Sequence, residues 1–234
     1  MTAASSIDPA TSVASSAPRG DSVVRSQDVG RCDPAQTYSA ADIASRVDQD
    51  AVPARRSVTI SALAADPDAL TLQTLPGRDL DQAELLSLAG SIAANAADLQ
   101  HHVAFSKDKR HYVSLHRDTN VDVWLLCWTP ENDTGWHDHD ISSGAVAVTQ
   151  GTLTEHNLAI GTPSIETEIH AGDAFSFGPD HIHRLTGRDP GSVSVHAYSP
   201  PLWRMGQYTL GASGQLRRKS VSYADELRPL DDMA

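Results

Sequence analysis

The sequence predicts a mainly β protein, in which an antiparallel barrel or sandwich follows one amphipathic helix. Short runs rich in β-forming residues crowd the chain after Arg110, turn residues separate these runs, and one stretch before them has helical periodicity. The 234 residues are 40% hydrophobic, which suffices for one domain of ordinary size with a tail. A second full domain is not expected.

The N-terminal part, residues 1–55, is rich in Ala, Ser, Asp and Pro and has no hydrophobic periodicity. Such a segment cannot bury enough apolar surface to offset the entropy lost on ordering. We therefore expect a disordered tail over residues 1–55 and one domain over residues 56–230.

The helix is predicted from Leu80 onward, in the stretch LDQAELLSLAGSIAANAADL, with Asp81 as its N-cap. Its apolar positions at helical spacing are Leu85, Leu88, Ala89, Ile92 and Ala96. This pattern favours a short helical segment that packs on the β structure through one face.

Eight β-rich runs follow Arg110, separated by Gly, Pro, Asn and Asp. They are HYVSLH, VDVWLLCW, GAVAVTQ, GTLTEHNL, ETEIH, AFSFG, SVSVHAYS and QYTL. In the first run, Tyr112, Ser114 and His116 alternate with Val113 and Leu115, which predicts that one strand face lines a polar cavity.

The net charge of −12 argues against a nucleic-acid or anionic-lipid surface, because phosphate groups would be repelled. Cys32 and Cys127 are too few for a disulfide framework. The N-terminus lacks the pattern of a signal peptide, and no segment is apolar enough to cross a membrane. We expect a cytoplasmic monomer whose partners are small molecules.

The histidines provide the main chemical signal. His137 and His139 are two residues apart, so in a strand both side chains point to the same face and can reach one metal ion. A third ligand from another strand would complete a facial triad with open positions, as in non-haem Fe(II) sites. His183 is the candidate for that ligand, and His181 is the alternative.

This region resembles the cupin superfamily. Its first motif has Gly, five residues, His-x-His, three or four residues, Glu, six residues and Gly. Here His137 and His139 are followed by Gly144, where cupins usually have their glutamate ligand, and then by Gly151. GPDHIHRLTG loosely matches the second motif, with His183 at the ligand position. The resemblance implies a cupin-type antiparallel β-barrel, or jelly roll.

The missing glutamate predicts a preference for anionic substrates. Three neutral imidazoles leave the charge of a divalent ion uncompensated by protein, and a thiolate is a soft donor that can bind iron directly.

SVSVHAYSPPL is similar to the Ser-x-His-x-Tyr-Ser-Pro-Pro segment of the cysteine dioxygenase family, and the resemblance covers roughly residues 80–210. It implies an Fe(II) enzyme that adds both atoms of O2 to the sulfur of cysteine or a similar small thiol, giving a sulfinic acid. It also implies that Ser194, His196 and Tyr198 form a hydrogen-bonded chain beside the iron, with the Tyr198 hydroxyl orienting the substrate.

Carboxylate recognition departs from the family, which has an arginine in a Tyr-x-Arg unit on an early strand. Here Tyr112 is followed by Val113 and Ser114. Arg204 is the first candidate for a displaced guanidinium, and Arg117 and Arg110 are the others, since arginine can donate two parallel hydrogen bonds to a carboxylate. An aminothiol without a carboxylate remains an alternative substrate.

Two further points concern the pocket wall and a cross-link known in the family. Trp136 adjoins the predicted ligands, and we expect it and Tyr112 to contact the substrate. Animal members join a cysteine at the position of Gly144 to the tyrosine that matches Tyr198, and glycine prevents that cross-link here.

Two other functions are compatible with the sequence. One is a cupin enzyme that uses Mn, Ni or Zn, because ligand type alone does not fix the metal. The other is a non-catalytic cupin that senses or binds a ligand. The segment containing Ser194, His196 and Tyr198 argues against the first, and oxygen uptake would separate the two from a thiol dioxygenase.

Overall fold

In the computed structural model of the protein, the described residues are 36–38, 57–158, 163–211 and 215–222. All of them belong to one compact unit, Asp33–Ala234. Most of the predicted tail lies outside the described residues, as does the end of the predicted domain after residue 222. Within the tail segment, Gln36–Tyr38 forms a short strand that the sequence pattern does not predict.

The predicted helix is confirmed. The helices are α1 (Ile60–Ala64), α2 (Gln82–Ala94) and α3 (Ala96–Leu99), followed by a 3₁₀ turn (Gln100–His102). The Asp81 carboxylate accepts a hydrogen bond from the Glu84 N–H, and the Glu84 carboxylate accepts one from the Asp81 N–H. No helix among the described residues has the length and apolar content needed to cross a bilayer.

The described strands form two antiparallel sheets, which confirms the predicted fold class. The seven-stranded sheet, called the histidine sheet below, has the order β1-β13-β12-β5-β10-β7-β8. Its strands are β1 (Gln36–Tyr38), β5 (Trp136–Asp138), β7 (Thr152–Asn157), β8 (Ile165–His170), β10 (His183–Gly187), β12 (Arg204–Leu210) and β13 (Leu216–Ser222).

The six-stranded sheet, called the tyrosine sheet below, has the order β2-β9-β6-β11-β4-β3. Its strands are β2 (Val58–Thr59), β3 (His111–Arg117), β4 (Asp122–Trp128), β6 (Ser143–Gln150), β9 (Asp173–Phe177) and β11 (Ser192–Ser199). Each of the eight runs identified in the sequence forms a strand in one of the two sheets.

The central strands β4 and β11 of the tyrosine sheet are buried on both faces, because α2 packs on the outer face and the histidine sheet covers the inner face. Every residue of β4 and of β11 is buried. The outer face packs against Leu85 and Leu88 of α2 through Val123, Leu125, Cys127, Val193, Val195 and Ala197. The inner face carries Trp124, Leu126, Trp128, Ser194, His196 and Tyr198. The two-residue period of the strand thus separates the core from the site.

The candidate ligands come from short strands of the histidine sheet. β5 lies between β12 and β10, and His183 on β10 is directly opposite His137 on β5. His139 follows β5 immediately. The sheet ladder therefore brings histidines 44 to 46 positions apart in the sequence to one place.

Candidate metal centre and its cavity

Three buried imidazoles meet between the sheets, and we call them the three-histidine cluster: His137, His139 and His183. Their ring centroids are 4.8 Å (137 to 139), 4.6 Å (137 to 183) and 5.1 Å (139 to 183) apart. One nitrogen of each lies within 4.8 Å of the corresponding nitrogens of the other two. Each residue is at most 3% exposed. This arrangement can hold one ion with three nitrogen ligands.

Two of the imidazoles are oriented by hydrogen bonds on the side away from the cluster. His137 Nδ1 is 3.0 Å from the carbonyl oxygen of Gly135, and His183 Nδ1 is 2.9 Å from Glu155 Oε1. Both oxygens can only accept, so both Nδ1 atoms carry the proton and each Nε2 keeps its lone pair. His139 packs instead against the ring of Phe177, with centroids 4.5 Å apart.

The chemistry of the cluster fits a divalent transition metal. Burial, followed by neighbouring histidine charges, lowers the pKa of His139 well below its usual range. Burial also lowers the pKa of His183, although the hydrogen bond to Glu155 opposes this. His139 Nδ1 and His183 Nε2 are buried without a hydrogen-bond partner among the described residues. Neutral imidazoles with unsatisfied nitrogens are the form that binds a metal.

His181, the alternative third ligand, is placed differently from His183. Its Nε2 lies 2.9 Å from Glu155 Oε1, and it belongs to a group with Glu155 and His183, separate from His137 and His139. The geometry thus puts His183 and not His181 in the three-histidine cluster.

Gly144, where a cupin glutamate would be expected, is in close contact with two aromatic rings. A Cβ atom built on Gly144 would lie 2.4 Å from Phe177 Cζ and 3.1 Å from Tyr198 Cδ1. Phe177 and Tyr198 are its partners on the two neighbouring strands, β9 and β11. A side chain at this position would have to displace Phe177, so the ring fills the space of the missing ligand.

Ser194, His196 and Tyr198 form the hydrogen-bonded chain expected from the resemblance, and we call it the relay. Ser194 Oγ is 2.9 Å from His196 Nε2, and His196 Nδ1 is 3.1 Å from the Tyr198 hydroxyl. Trp128 Nε1, which can only donate, is 2.9 Å from Ser194 Oγ. If Ser194 then donates to Nε2, Nδ1 donates to Tyr198, and the tyrosine proton is directed onward.

The electrostatics of the relay keep His196 neutral. Burial, and then the positive charge of Arg110, lower the pKa of His196 to about 3. Its ring stacks on Trp128 with centroids 6.0 Å apart. A neutral imidazole has one N–H and one lone pair, as a chain with a single direction requires.

The cluster and the relay open on one small cavity between the sheets. Residues that line it include Arg110, Trp128, His137, His183, His196 and Tyr198. No Asp or Glu is among the described residues that line it. Arg110 is 8% exposed, and its guanidinium lies over the Trp128 ring, 4.6 Å from the centroid. The cavity thus combines two of the three potential metal ligands, His137 and His183, with a hydroxyl donor and a fixed positive charge.

Three residues expected to bind substrate lie elsewhere. Arg204 has a 52% exposed side chain whose Nη2 is 3.3 Å from Asp140 Oδ2, and it does not line the cavity. Tyr112 is 38% exposed at the edge of the tyrosine sheet and packs on Trp124, with centroids 5.9 Å apart. Trp136 points to the opposite side of β5 from His137 and packs with Tyr208.

The position that matches the family arginine, Ser114, also lies outside the cavity lining. Ser114 is exposed on edge strand β3, next to a register shift, so this part of the strand is partly open to solvent. Arg110 precedes β3 and shares the strand face of Tyr112, but it reaches inward opposite Trp128. Arg117 stacks on Trp203 and pairs with Asp122, outside the cavity lining.

Asp138, which lies between His137 and His139 in the chain, points to the opposite side of β5 and holds strands of the histidine sheet together. Its carboxylate accepts hydrogen bonds from the Tyr208 hydroxyl at 2.5 Å, from Arg218 at 2.7 and 2.8 Å, and from the Gly206 N–H at 3.0 Å. Burial alone would raise the pKa of Asp138, but the bonds from Arg218 and Tyr208 hold it below its usual value. Asp138 is therefore a structural carboxylate.

The sequence reasoning missed two residues of the site and gave too little weight to a third. Glu155 is a single acid in a buried strand, a pattern that does not reveal its partner. Trp128 shares the inward face of β4 with Trp124, and the two-residue period of a strand predicts this from the sequence. Arg110 was considered only after Arg204, because the sequence does not show which arginine is buried.

Fold and site together define a protein of two antiparallel sheets with a buried three-histidine cluster that could hold a metal ion. The family described as Cysteine dioxygenase type I matches residues 55–210, two thirds of the chain. The chain belongs to this family. Family membership makes it a metal-dependent enzyme of the thiol dioxygenase type, a class that acts on thiols and O2.

Three solved structures that match the chain each cover less than half of it. One is an uncharacterized conserved protein with a double-stranded β-helix domain from Klebsiella pneumoniae, at 19% identity and a TM-score of 0.38, over 44% of this chain and 86% of that one. Another is KdgF from Halomonas sp., at 16% identity and a TM-score of 0.37, over 44% and 91%. A cupin superfamily protein from Desulfitobacterium hafniense matches at 10% identity and a TM-score of 0.35, over 42% and 82%.

Proposed function

We propose that the protein is an Fe(II)-dependent thiol dioxygenase that converts a small anionic thiol, such as cysteine or mercaptopropionate, to its sulfinic acid. The observation that carries this proposal is one cavity lined by His137 and His183 of the three-histidine cluster, by Tyr198 and by Arg110. Three chemical requirements of the reaction, a metal site, a hydroxyl donor and an anion site, thus have residues within one small space.

The reaction is balanced without a reductant, because RSH and O2 together give RSO2H. His137, His139 and His183 would hold the Fe(II) ion, which would supply the redox chemistry that makes O2 reactive toward the thiol sulfur. Three protein ligands leave coordination positions for both substrates.

The relay positions a proton donor at the edge of the cavity. Trp128 and Ser194 hold His196 in one tautomer, and His196 holds the Tyr198 hydroxyl oxygen. Tyr198 is 6% exposed, so its hydroxyl is shielded from bulk water, and a hydrogen bond to the reacting groups is stronger there. In our proposal Tyr198 orients the substrate and Ser194 and His196 orient Tyr198.

Arg110 supplies the positive charge for the substrate's anionic group. The guanidinium is held over Trp128 within the cavity lining, where arginine can donate two parallel hydrogen bonds to a carboxylate. Cysteamine has a thiol but no carboxylate, so we propose that it is a poorer substrate than cysteine or mercaptopropionate.

The proposal is tested with protein loaded anaerobically with Fe(II) and offered cysteine, mercaptopropionate and cysteamine in turn. With a thiol that carries a carboxylate, one sulfinate should form for each O2 consumed. Arg110→Met keeps a long unbranched side chain and removes the charge. It should lower kcat/KM for that substrate by about 10- to 100-fold.

Arg204→Met is the matched control, since Arg204 is exposed and lies outside the cavity lining. It should leave kcat/KM for the same thiol unchanged. The absence of oxygen uptake with all three thiols would refute the dioxygenase proposal. Equal losses from the two arginine variants would refute only the role of Arg110.

Cytoplasmic location is part of the same proposal. Cys127 is a buried thiol between apolar neighbours, and burial raises its pKa, so it is an unreactive packing group. An enzyme whose substrate is a reduced thiol is suited to a reducing compartment.

A further inference from the structure

A buried carboxylate lies directly behind one ligand of the three-histidine cluster. Glu155, on β7, is 1% exposed, and its Oε1 atom is 2.9 Å from His183 Nδ1 and 2.9 Å from His181 Nε2. A carboxylate placed away from water is costly unless its oxygens accept hydrogen bonds. Two imidazole N–H groups meet this requirement at one oxygen.

The contact determines which nitrogen of His183 faces the cluster. An ionised carboxylate oxygen only accepts, so His183 must donate from Nδ1 and keep its lone pair on Nε2. His183 Nε2 is buried and has no hydrogen-bond partner among the described residues. Glu155 therefore holds the imidazole in the tautomer and orientation that a metal ligand needs.

The sheet ladder builds this contact without help from a metal. β7 and β10 are neighbouring antiparallel strands, in which His183 is opposite Asn157 and Leu185 is opposite Glu155. Residues 155 and 157 share one strand face, so Glu155 is a diagonal neighbour of His183.

The ligands of the cluster differ in their supports. His137 donates to the neutral carbonyl of Gly135, whereas His183 donates to a carboxylate. A carboxylate behind an imidazole increases the basicity of the opposite nitrogen and places a negative charge close to the ion. Gly144 in the sequence suggested that the cluster has no acidic group. The structure places a carboxylate behind His183 instead, so the negative charge is near the cluster without being a direct ligand.

We propose that Glu155 is a positioning residue that sets the metal affinity of the three-histidine cluster by fixing His183 and supplying the negative charge that the ligand set lacks. This inference rests on the proposed function in one respect: the cluster must hold a divalent metal. It assigns no contact between Glu155 and the substrate.

The test measures metal binding and not turnover. Metal-free full-length protein is titrated with Fe(II) under anaerobic conditions in competition with a chromophoric chelator. Glu155→Gln keeps the size of the side chain and removes its charge, and it should raise the dissociation constant for Fe(II) by about 10- to 100-fold. Thermal unfolding of the metal-free variant establishes that the fold is retained.

Glu168→Gln is the matched control, because Glu168 is an exposed carboxylate on the neighbouring strand β8 that pairs with Arg188 and His170, away from the cluster. It should bind Fe(II) as tightly as the wild type. His181→Gln keeps Glu155 and His183 in contact. Its dissociation constant for Fe(II) should stay within about threefold of the wild-type value, a smaller change than in Glu155→Gln.

A spectroscopic measurement separates donor strength from general damage. With Co(II) as the probe, the ligand-field bands should shift in Glu155→Gln and not in Glu168→Gln. Unchanged affinity and unchanged bands in Glu155→Gln, or an equal loss of affinity in His181→Gln, would overturn the inference. Wild-type protein that binds no divalent metal would instead overturn the proposed function.

Discussion

The two sheets contribute to the site in different physical ways. In the histidine sheet, buried polar groups hold the ligand strands: Asp138 joins β5 to β12 and β13, and Glu155 holds His183. In the tyrosine sheet, the relay strand β11 is held by apolar packing of Val193, Val195 and Ala197 on the helix-facing side. The metal ligands therefore depend on charge and hydrogen bonds, whereas the relay depends on an apolar core.

The largest effect is expected from removing a ligand in the histidine sheet. His183→Ala should abolish metal binding and oxygen uptake, since two imidazoles cannot provide the three-nitrogen set. His170→Ala, on an exposed histidine of β8, should change neither. Iron content and oxygen consumption check both variants, and substantial activity in His183→Ala would contradict the assigned site.

In the tyrosine sheet, a core truncation should destabilise the protein without weakening the metal site. Leu125 is fully buried on the side of β4 that faces the helix layer. Leu125→Ala should lower the unfolding free energy of the protein by about 3 to 4 kcal/mol. Urea unfolding of the metal-free protein measures the loss, and the dissociation constant for Fe(II) should stay as in the wild type. A large parallel change in metal affinity would show that the two sheets are not independent in this respect.

In the histidine sheet, removing a buried charge should lower both the unfolding free energy and the affinity for Fe(II). Asp138→Asn leaves Arg218 mostly buried without its carboxylate and should cost about 2 to 3 kcal/mol. It should also weaken Fe(II) binding, because Asp138 lies between the ligands His137 and His139 in the chain. Asp133→Asn, which breaks a more exposed pair with Arg184, is the control and should cost less than about 1 kcal/mol.

At neutral pH the smallest expected effect is that of the relay, because its contribution to stability changes only on acidification. The pKa of His196, about 3 in the folded protein, lies below its ordinary value of 6.5 because of burial and then the nearby Arg110 charge. The neutral form stabilises the fold fully above pH 6.5, and this contribution is lost as the pH falls toward 3.

Between these pH values His196 takes up a proton when the protein unfolds, and His196→Gln removes this uptake. Between about pH 6.5 and 3, the slope of unfolding free energy against pH should fall by about 1.4 kcal/mol per pH unit relative to the wild type. Urea unfolding of metal-free protein at several pH values gives both slopes. Identical slopes would show that His196 does not remain neutral in the folded chain.

Much of the fold was accessible from local patterns. The α2 helix was predicted from apolar spacing and the Asp81 cap, and eight strands from β-rich runs and turns. Strands β5 and β10 have few apolar residues and were recognised only through their histidines. β13, with the run LRRKSVS, gave no signal of its own because its stability comes from pairing with β12.

The candidate site was predicted less evenly. Residues two apart on one strand share a face, so His137 with His139, and Ser194 with His196 and Tyr198, followed from spacing. Partners from different strands did not follow: the burial of Arg110 beside Trp128 and the contact of Glu155 with His183 depend on strand order and register.

The sequence by itself determined the mainly β fold, the capped helix, the histidine pair and the relay strand, because each depends on neighbours within a few residues. Only the tertiary structure decided that His183 and not His181 joins the cluster, that Phe177 fills the space beside Gly144, and that Arg110 and not Arg204 faces the cavity. These outcomes depend on which strands lie side by side and on which charges they bury, and the two-residue period of a single strand contains no such information.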